Sequence, residues 1–189
     1  MSSGMHVVIG LIIFLLVIVV LLINSLIYKK NMVNNSFATI DVLLKKRFDL
    51  IPNIVAAVKG YMTHEAGVFT KITELRSRAL SGQGGVDEAI AIDSQLTGML
   101  RGLMVSVENY PVLKASENFL HLQRTLNEVE EQISASRRAF NAAVNEYNNA
   151  VQMVPTNIIA GLMKYQEKKY FTIIEEERKN VNTGELLKK

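Results

Sequence analysis

Between Val7 and Ile23 every residue except Gly10 is Val, Ile, Leu or Phe, and after Asn24-Ser25 the run resumes with Leu26, Ile27 and Tyr28. A helix that is apolar all round offers no face to water, so this segment must be either buried or in a membrane. At 1.5 Å per residue, Met5 to Tyr28 covers about 36 Å, enough to cross a hydrocarbon core of roughly 30 Å with some tilt. The competing reading is a cleaved signal peptide, which calls for a basic leading segment, a shorter apolar stretch and a small-x-small cleavage site. Met1 to His6 carries no Lys or Arg, the run is too long, and no A-x-A follows it. Residues 1–28 are therefore expected to form an N-terminal transmembrane anchor, with the span at about 6–28.

The charges agree. All 21 Lys and Arg and all 18 Asp and Glu lie at or after Lys29. Basic residues flanking a span stay on the cytoplasmic side. Lys29, Lys30, Lys45, Lys46 and Arg47 follow the span closely, and none precedes it. The expected topology is a single pass with the N-terminus outside and the C-terminal domain cytoplasmic. A net charge of +3 is too slight a surplus for nucleic acid, which requires a concentrated basic face. With no cysteine, disulfides, zinc-thiolate sites and cysteine nucleophiles are excluded.

After Lys30 no segment alternates with period two, and helical spacing recurs throughout. A first segment, about 34–80, repeats Ile40, Leu44, Ile51, Ile54, Val58, Phe69, Ile72 and Leu75, with a kink or short break expected at Pro52. Ser81-Gly-Gln-Gly-Gly85 reads as a loop. A second helix, about 86–107, aligns Ile92, Leu96, Leu100, Leu103 and Val107 and contains Gly98 and Gly102, a spacing expected to pack closely against a neighbouring helix. A third, about 111–154, places Phe119, Leu122, Leu126, Val129, Ile133, Phe140, Ala143, Tyr147, Ala150 and Val154 at alternating steps of three and four, with Ser136 filling one position, the period of antiparallel supercoiled packing. A fourth, about 155–174, sets Ile158, Ile159, Leu162, Met163, Tyr170 and Phe171 opposite lysines. The fold class expected is all-α: a transmembrane helix followed by an elongated antiparallel bundle of about four helices over 29–174, with a charged, frayed tail at 175–189.

Catalytic patterns are missing. His64-Glu65 begins a metalloprotease motif, but Val68 stands where the second ligand belongs. His121 and His6 have no ligand partner at helical spacing, and no phosphate-cradling or nucleophile-elbow motif occurs. No catalytic residue, metal or cofactor is expected. What remains is polar. Lys29, Lys30, Lys45, Lys46, Arg47 and Asp49 lie close behind the anchor, Asn53 follows Pro52, and Arg137 and Arg138 follow the Glu128, Glu130 and Glu131 group. These are the candidate contacts to a partner or to lipid, weighed against ordinary solvated helix faces. The fourth segment, with Tyr165, Tyr170 and Phe171, suits either a membrane surface or the last helix of a bundle.

Lys30-Asn31-Met32-Val33, then Ile40 through Arg47-Phe48-Asp49-Leu-Ile-Pro-Asn53 to Val55, then Val58-Lys59-Gly60-Tyr61 and His64-Glu65, resemble the signature of the LemA family. So do Glu108-Asn109-Tyr110-Pro111, the stretch from Glu130 through Arg137 to Phe140-Asn141, and Tyr147-Asn148 with Val154-Pro155. The resemblance covers about 30–171. It departs at Phe37, Leu43, Phe48 and Phe140, where Trp, Gln, His and Tyr are usual. It implies a bacterial single-pass protein with a cytoplasmic antiparallel helical bundle and no established catalytic residue. Pro52 and Asn53 are expected to form a kink with a local side-chain hydrogen bond. The function expected is a non-enzymatic, membrane-tethered interaction module for another membrane-associated protein, with self-association left open. The alternative is a lipid-organising protein acting through its basic juxtamembrane segment and C-terminal amphipathic helix.

Overall fold

Six helices follow one another in the computed structural model, which describes residues 2–62, 66–81 and 85–171. They are α1 (Ser2–Lys59), α2 (Ala66–Ser81), α3 (Gly85–Val107), α4 (Pro111–Lys114), α5 (Glu117–Gln152) and α6 (Thr156–Leu162). Among the described residues there is no strand, and the chain is all-α with a long apolar N-terminal helix, as expected. Of the loop expected at 81–85, Ser81 closes α2 and Gly85 opens α3, while residues 82–84, the His64-Glu65 pair and the tail expected at 175–189 lie outside the described residues.

Residues packed against one another divide into two units, residues 2–41 with Ser134–Tyr170, and Val42–Ile133 with Phe171. α1 and α5 supply both. In the first unit, Leu26, Val33 and Ile40 of α1 are buried, as are Phe140, Val144, Tyr147 and Ala150 of α5 and Ala160 of α6. α1 and α5 run antiparallel there. Lys29 pairs with Glu146 and Phe37 packs edge-on against Phe140, so one numbering rises as the other falls. In the second unit Leu44, Ile51, Ile54 and Val58 of α1 are buried, together with Leu75 of α2, Leu96 of α3, Leu113 of α4 and Val129 of α5. A large aliphatic side chain removed from water in this way contributes about 1.5–3 kcal/mol.

Four expectations need correction. The first break falls after Lys59, not at Pro52: α1 continues through Pro52 and ends at Gly60, a poor helix former. The reason Pro52 is tolerated lies in α2. A proline at 52 withholds the N–H that Phe48 C=O would accept, and Arg76 Nε donates to that oxygen instead at 2.9 Å. Second, the third helix is divided: α4 covers one turn, opened by Pro111, and α5 restarts at Glu117. Third, a Cβ built on Gly98 or Gly102 meets nothing within 4 Å, so this pair does not mediate close packing. Fourth, the last helix is seven residues long. Lys164 takes a left-handed conformation, φ 54°, and the chain closes a Schellman turn with Tyr165 N–H donating to Ala160 C=O at 2.8 Å and Lys164 N–H to Gly161 C=O at 3.1 Å. With the helix stopped there, Val154, Ile158 and Leu162, assigned to the core by their spacing, are exposed. On α5, Val144 rather than Ala143 takes the buried position.

Candidate functional site

In the second unit the polar centre is Arg47. Leu44 lies three residues before it and Ile51 four after, so the helical period turns this arginine into the core, where none of it is exposed. Its guanidinium donates to Asp93 Oδ1 at 2.5 Å, to Glu130 Oε1 at 2.8 Å and to Thr97 Oγ1 at 3.0 Å. The Thr97 hydroxyl in turn donates to Asp93 C=O at 2.8 Å. Asp93 is fully buried too, while Glu130 reaches solvent. A buried cation held by two carboxylates from separate helices fixes the register of α1, α3 and α5 within this unit. Arg47 is thus no contact for lipid or partner, in contrast to its expected place on an exposed basic patch.

Its neighbours face outward. Lys45 and Lys46 are exposed. Asp49 Oδ1 is 3.9 Å from Arg76, beside the carbonyl that Pro52 leaves open. Asn53 is exposed and makes no local hydrogen bond of the expected kind; it lines a shallow cavity of about 470 Å³ with Ala56, Asn118 and His121. A larger, mostly apolar hollow of about 670 Å³ lies between the end of α1 and α2, lined by Val55, Met62, Phe69 and Thr73. Among the described residues no group of three or more His, Cys, Asp or Glu is placed to hold a metal ion.

In the first unit the candidates gather just past the apolar run. Lys29 Nζ donates to Glu146 Oε2 at 2.7 Å, and this bond, followed by the charge of the ammonium, holds the Glu146 carboxyl below its ordinary range. Lys30 Nζ sits 4.5 Å from the centre of the Tyr165 ring. The segment after α6 returns to α5 through Asn148, whose side-chain amide pairs with the backbone of Lys168 like a peptide, donating from Nδ2 at 2.9 Å and accepting at Oδ1 at 2.8 Å. That clamp positions the Lys168 ammonium 3.0 Å from Asn34 Oδ1 and 5.9 Å from the centre of the Tyr147 ring. Burial and then the neighbouring Lys30 charge lower the Lys168 pKa. Burial also raises the Tyr147 phenol, helped by Tyr165. Arg138 donates to Ser134 Oγ on the exposed side of α5, and Arg137 is half-buried. Lys30 and Lys168, each close to a tyrosine ring whose centre lies 6.4 Å from the other's, form a cationic and aromatic group directly behind the apolar stretch of α1. Of the expected candidates, Lys29 and Lys30 belong to it. Tyr165 belongs to the fourth segment weighed above for a membrane surface, while Lys168 and Asn148 are additions to the candidate contacts.

The family model described as the LemA family matches residues 36–184. The chain belongs to the LemA family. A curated relative, Protein LemA of Metamycoplasma hominis, is 26% identical over 163 residues, covering 86% of this chain and 74% of that protein. The magnetosome protein MamQ of Magnetospirillum gryphiswaldense is 23% identical over 156 residues, covering 69% of this chain and 57% of its own length. This LemA-family chain also carries, in α1, an N-terminal stretch long and apolar enough to cross a membrane, and its most apolar 18-residue window is not buried. The LemA match starts at Ser36, behind that stretch.

Proposed function

We propose that this LemA-family protein is a non-enzymatic, membrane-tethered interaction module, held by a single pass in a bacterial cell membrane with its N-terminus outside and its packed helices on the cytoplasmic face. The observation that carries the reading is the continuity of α1. One helix runs from the exposed apolar stretch into the buried positions Leu26, Val33 and Ile40, with no linker between. A module so attached stands at a set distance from the bilayer, which suits docking of another membrane-associated protein. The cytoplasmic side follows from the basic residues behind the span. Amine-directed crosslinking in cells through exposed Lys45 and Lys46, followed by mass spectrometry, tests it. A stoichiometric protein partner is expected; crosslinks to lipid alone would overturn the reading.

A second reading is favoured by a specific observation, Lys30 over the Tyr165 ring and Lys168 near the Tyr147 ring, with the two rings 6.4 Å apart. Cations held together against their own repulsion offer a ready site for anionic headgroups, each basic residue near such a surface contributing about 1 kcal/mol. On this reading the protein organises lipid around its anchor. Retention of anionic phospholipid on purification, lost in a Lys30→Ala and Lys168→Ala double variant, is the expected result; equal retention by the variant would count against it.

A further inference from the structure

We infer that the corner joining α5 to α6 dips into the membrane leaflet from which α1 emerges, as a second apolar foothold beside the anchor. The inference rests on the reading that α1 spans a bilayer and is indifferent to whether the module binds protein or organises lipid. Its first support is depth. In this unit Lys29 lies opposite Glu146 and Phe37 opposite Phe140. Continuing that antiparallel register, α5 runs about 9 Å past Glu146 before it ends at Gln152, which brings the corner opposite Leu22 and Ile23 of α1, inside the apolar run. The packing agrees: Leu26 is fully buried, although its sequence position falls within the expected span. Lys30 over Tyr165 then returns the chain after α6 to the level of the first cations.

The second support is chemistry. Met153, Val154, Ile158 and Leu162 are 62%, 76%, 70% and 86% exposed. Ile158 and Leu162 are four residues apart and share a face of α6, while small Ala160 is the buried residue. A helix facing water shows the reverse arrangement, with its large aliphatic residues inward. No Asp or Glu occurs between Met153 and Gln166; Lys164 ends this stretch, and Glu167 is followed by Lys168 and Lys169. Tyr28, directly before Lys29, and Tyr170, directly after Lys169, are exposed, a residue type that collects at the headgroup level. An apolar tip, rimmed by cations and tyrosines and level with a membrane span, has a phospholipid monolayer as its complementary partner.

The chain contains no cysteine, so single cysteines report one site at a time. Full-length protein is reconstituted in vesicles of phosphatidylethanolamine and phosphatidylglycerol, carrying an environment-sensitive fluorophore at Ile158→Cys or Leu162→Cys. Leu15→Cys, within the span, and Ala142→Cys, exposed on α5, serve as comparators. All four side chains are exposed, so none of the substitutions removes a buried contact. Nitroxides borne on the acyl chains are expected to quench Ile158→Cys and Leu162→Cys to an extent comparable with Leu15→Cys, and to leave Ala142→Cys unquenched. Quenching at Leu15→Cys without quenching at the corner would overturn the inference and leave the span intact. A blue shift at the corner without quenching would mean that protein, a second copy included, covers it, and would overturn it too. If Leu15→Cys is itself unquenched, the spanning reading fails first.

Discussion

Arg47 and Pro52 sit five residues apart on α1, and each breaks a local rule that another helix repairs. Arg47 takes a core position in the series Ile40, Leu44, Arg47, Ile51, Ile54, and Asp93 does the same between Ala89 and Leu96. The pattern was legible: a charge of each sign on an apolar stripe must find its opposite or remain unpaid. Read as part of a run of three basic residues, Arg47 passes for a surface charge; read by its period, it belongs inside. Asp93→Ala leaves the buried guanidinium with only the part-exposed Glu130 carboxylate and the Thr97 hydroxyl, and is expected to destabilise the full-length protein by about 3 kcal/mol, the low end for a broken buried pair, in urea unfolding followed by circular dichroism. Replacing the pair together, Arg47→Met with Asp93→Leu, should recover most of that; a loss below about 1 kcal/mol in Asp93→Ala would refute the buried pair. At Pro52 the repair is the hydrogen bond from Arg76 to Phe48 C=O. Arg76→Ala should cost about 1–2 kcal/mol, and roughly 1 kcal/mol less in a Pro52→Ala background, where the helix supplies its own donor. A double-mutant cycle with no coupling would show that the two features are unrelated. Nothing in the sequence could have named Arg76, because the vacancy is local and its donor is not.

Helices as elements were mostly legible, and their ends were not. Periodicity located α3 and α5 and their buried stripes, because those helices bury one continuous face. It misplaced α6 because the apolar spacing of Ile158, Ile159 and Leu162 reads the same whether the face meets a core or a membrane. The stop itself is written in a residue that gives no warning: Lys164 adopts the conformation that glycine adopts without strain. Lys164→Gly removes that strain at the expense of a more flexible unfolded chain, for a net stabilisation of roughly 0.5–1 kcal/mol. Thermal unfolding of the full-length protein checks it; a lowered midpoint would mean that the left-handed turn is not populated.

For the molecule as a whole, the placement of charge carried more information than any motif. The uncharged first 28 residues indicated an anchor, and one uninterrupted α1 joins that apolar stretch to the packed helices. What the apolar run could not reveal is where the membrane stops and the protein core begins, since Leu26 satisfies both. The juxtamembrane site was legible as two separate stretches and not as one site. Lys29 and Lys30 stand beside the span in sequence, whereas Lys168, Tyr165 and Asn148 arrive through the antiparallel return of α5. The central claim is that α1 crosses the membrane with its two ends on opposite sides. Single cysteines at Ser3 and Lys45, probed with a membrane-impermeant maleimide, test it most directly. The account predicts that Ser3→Cys is labelled in intact cells stripped of their outer barrier, and that Lys45→Cys is labelled only after permeabilisation. Labelling of both positions from the same side would contradict it.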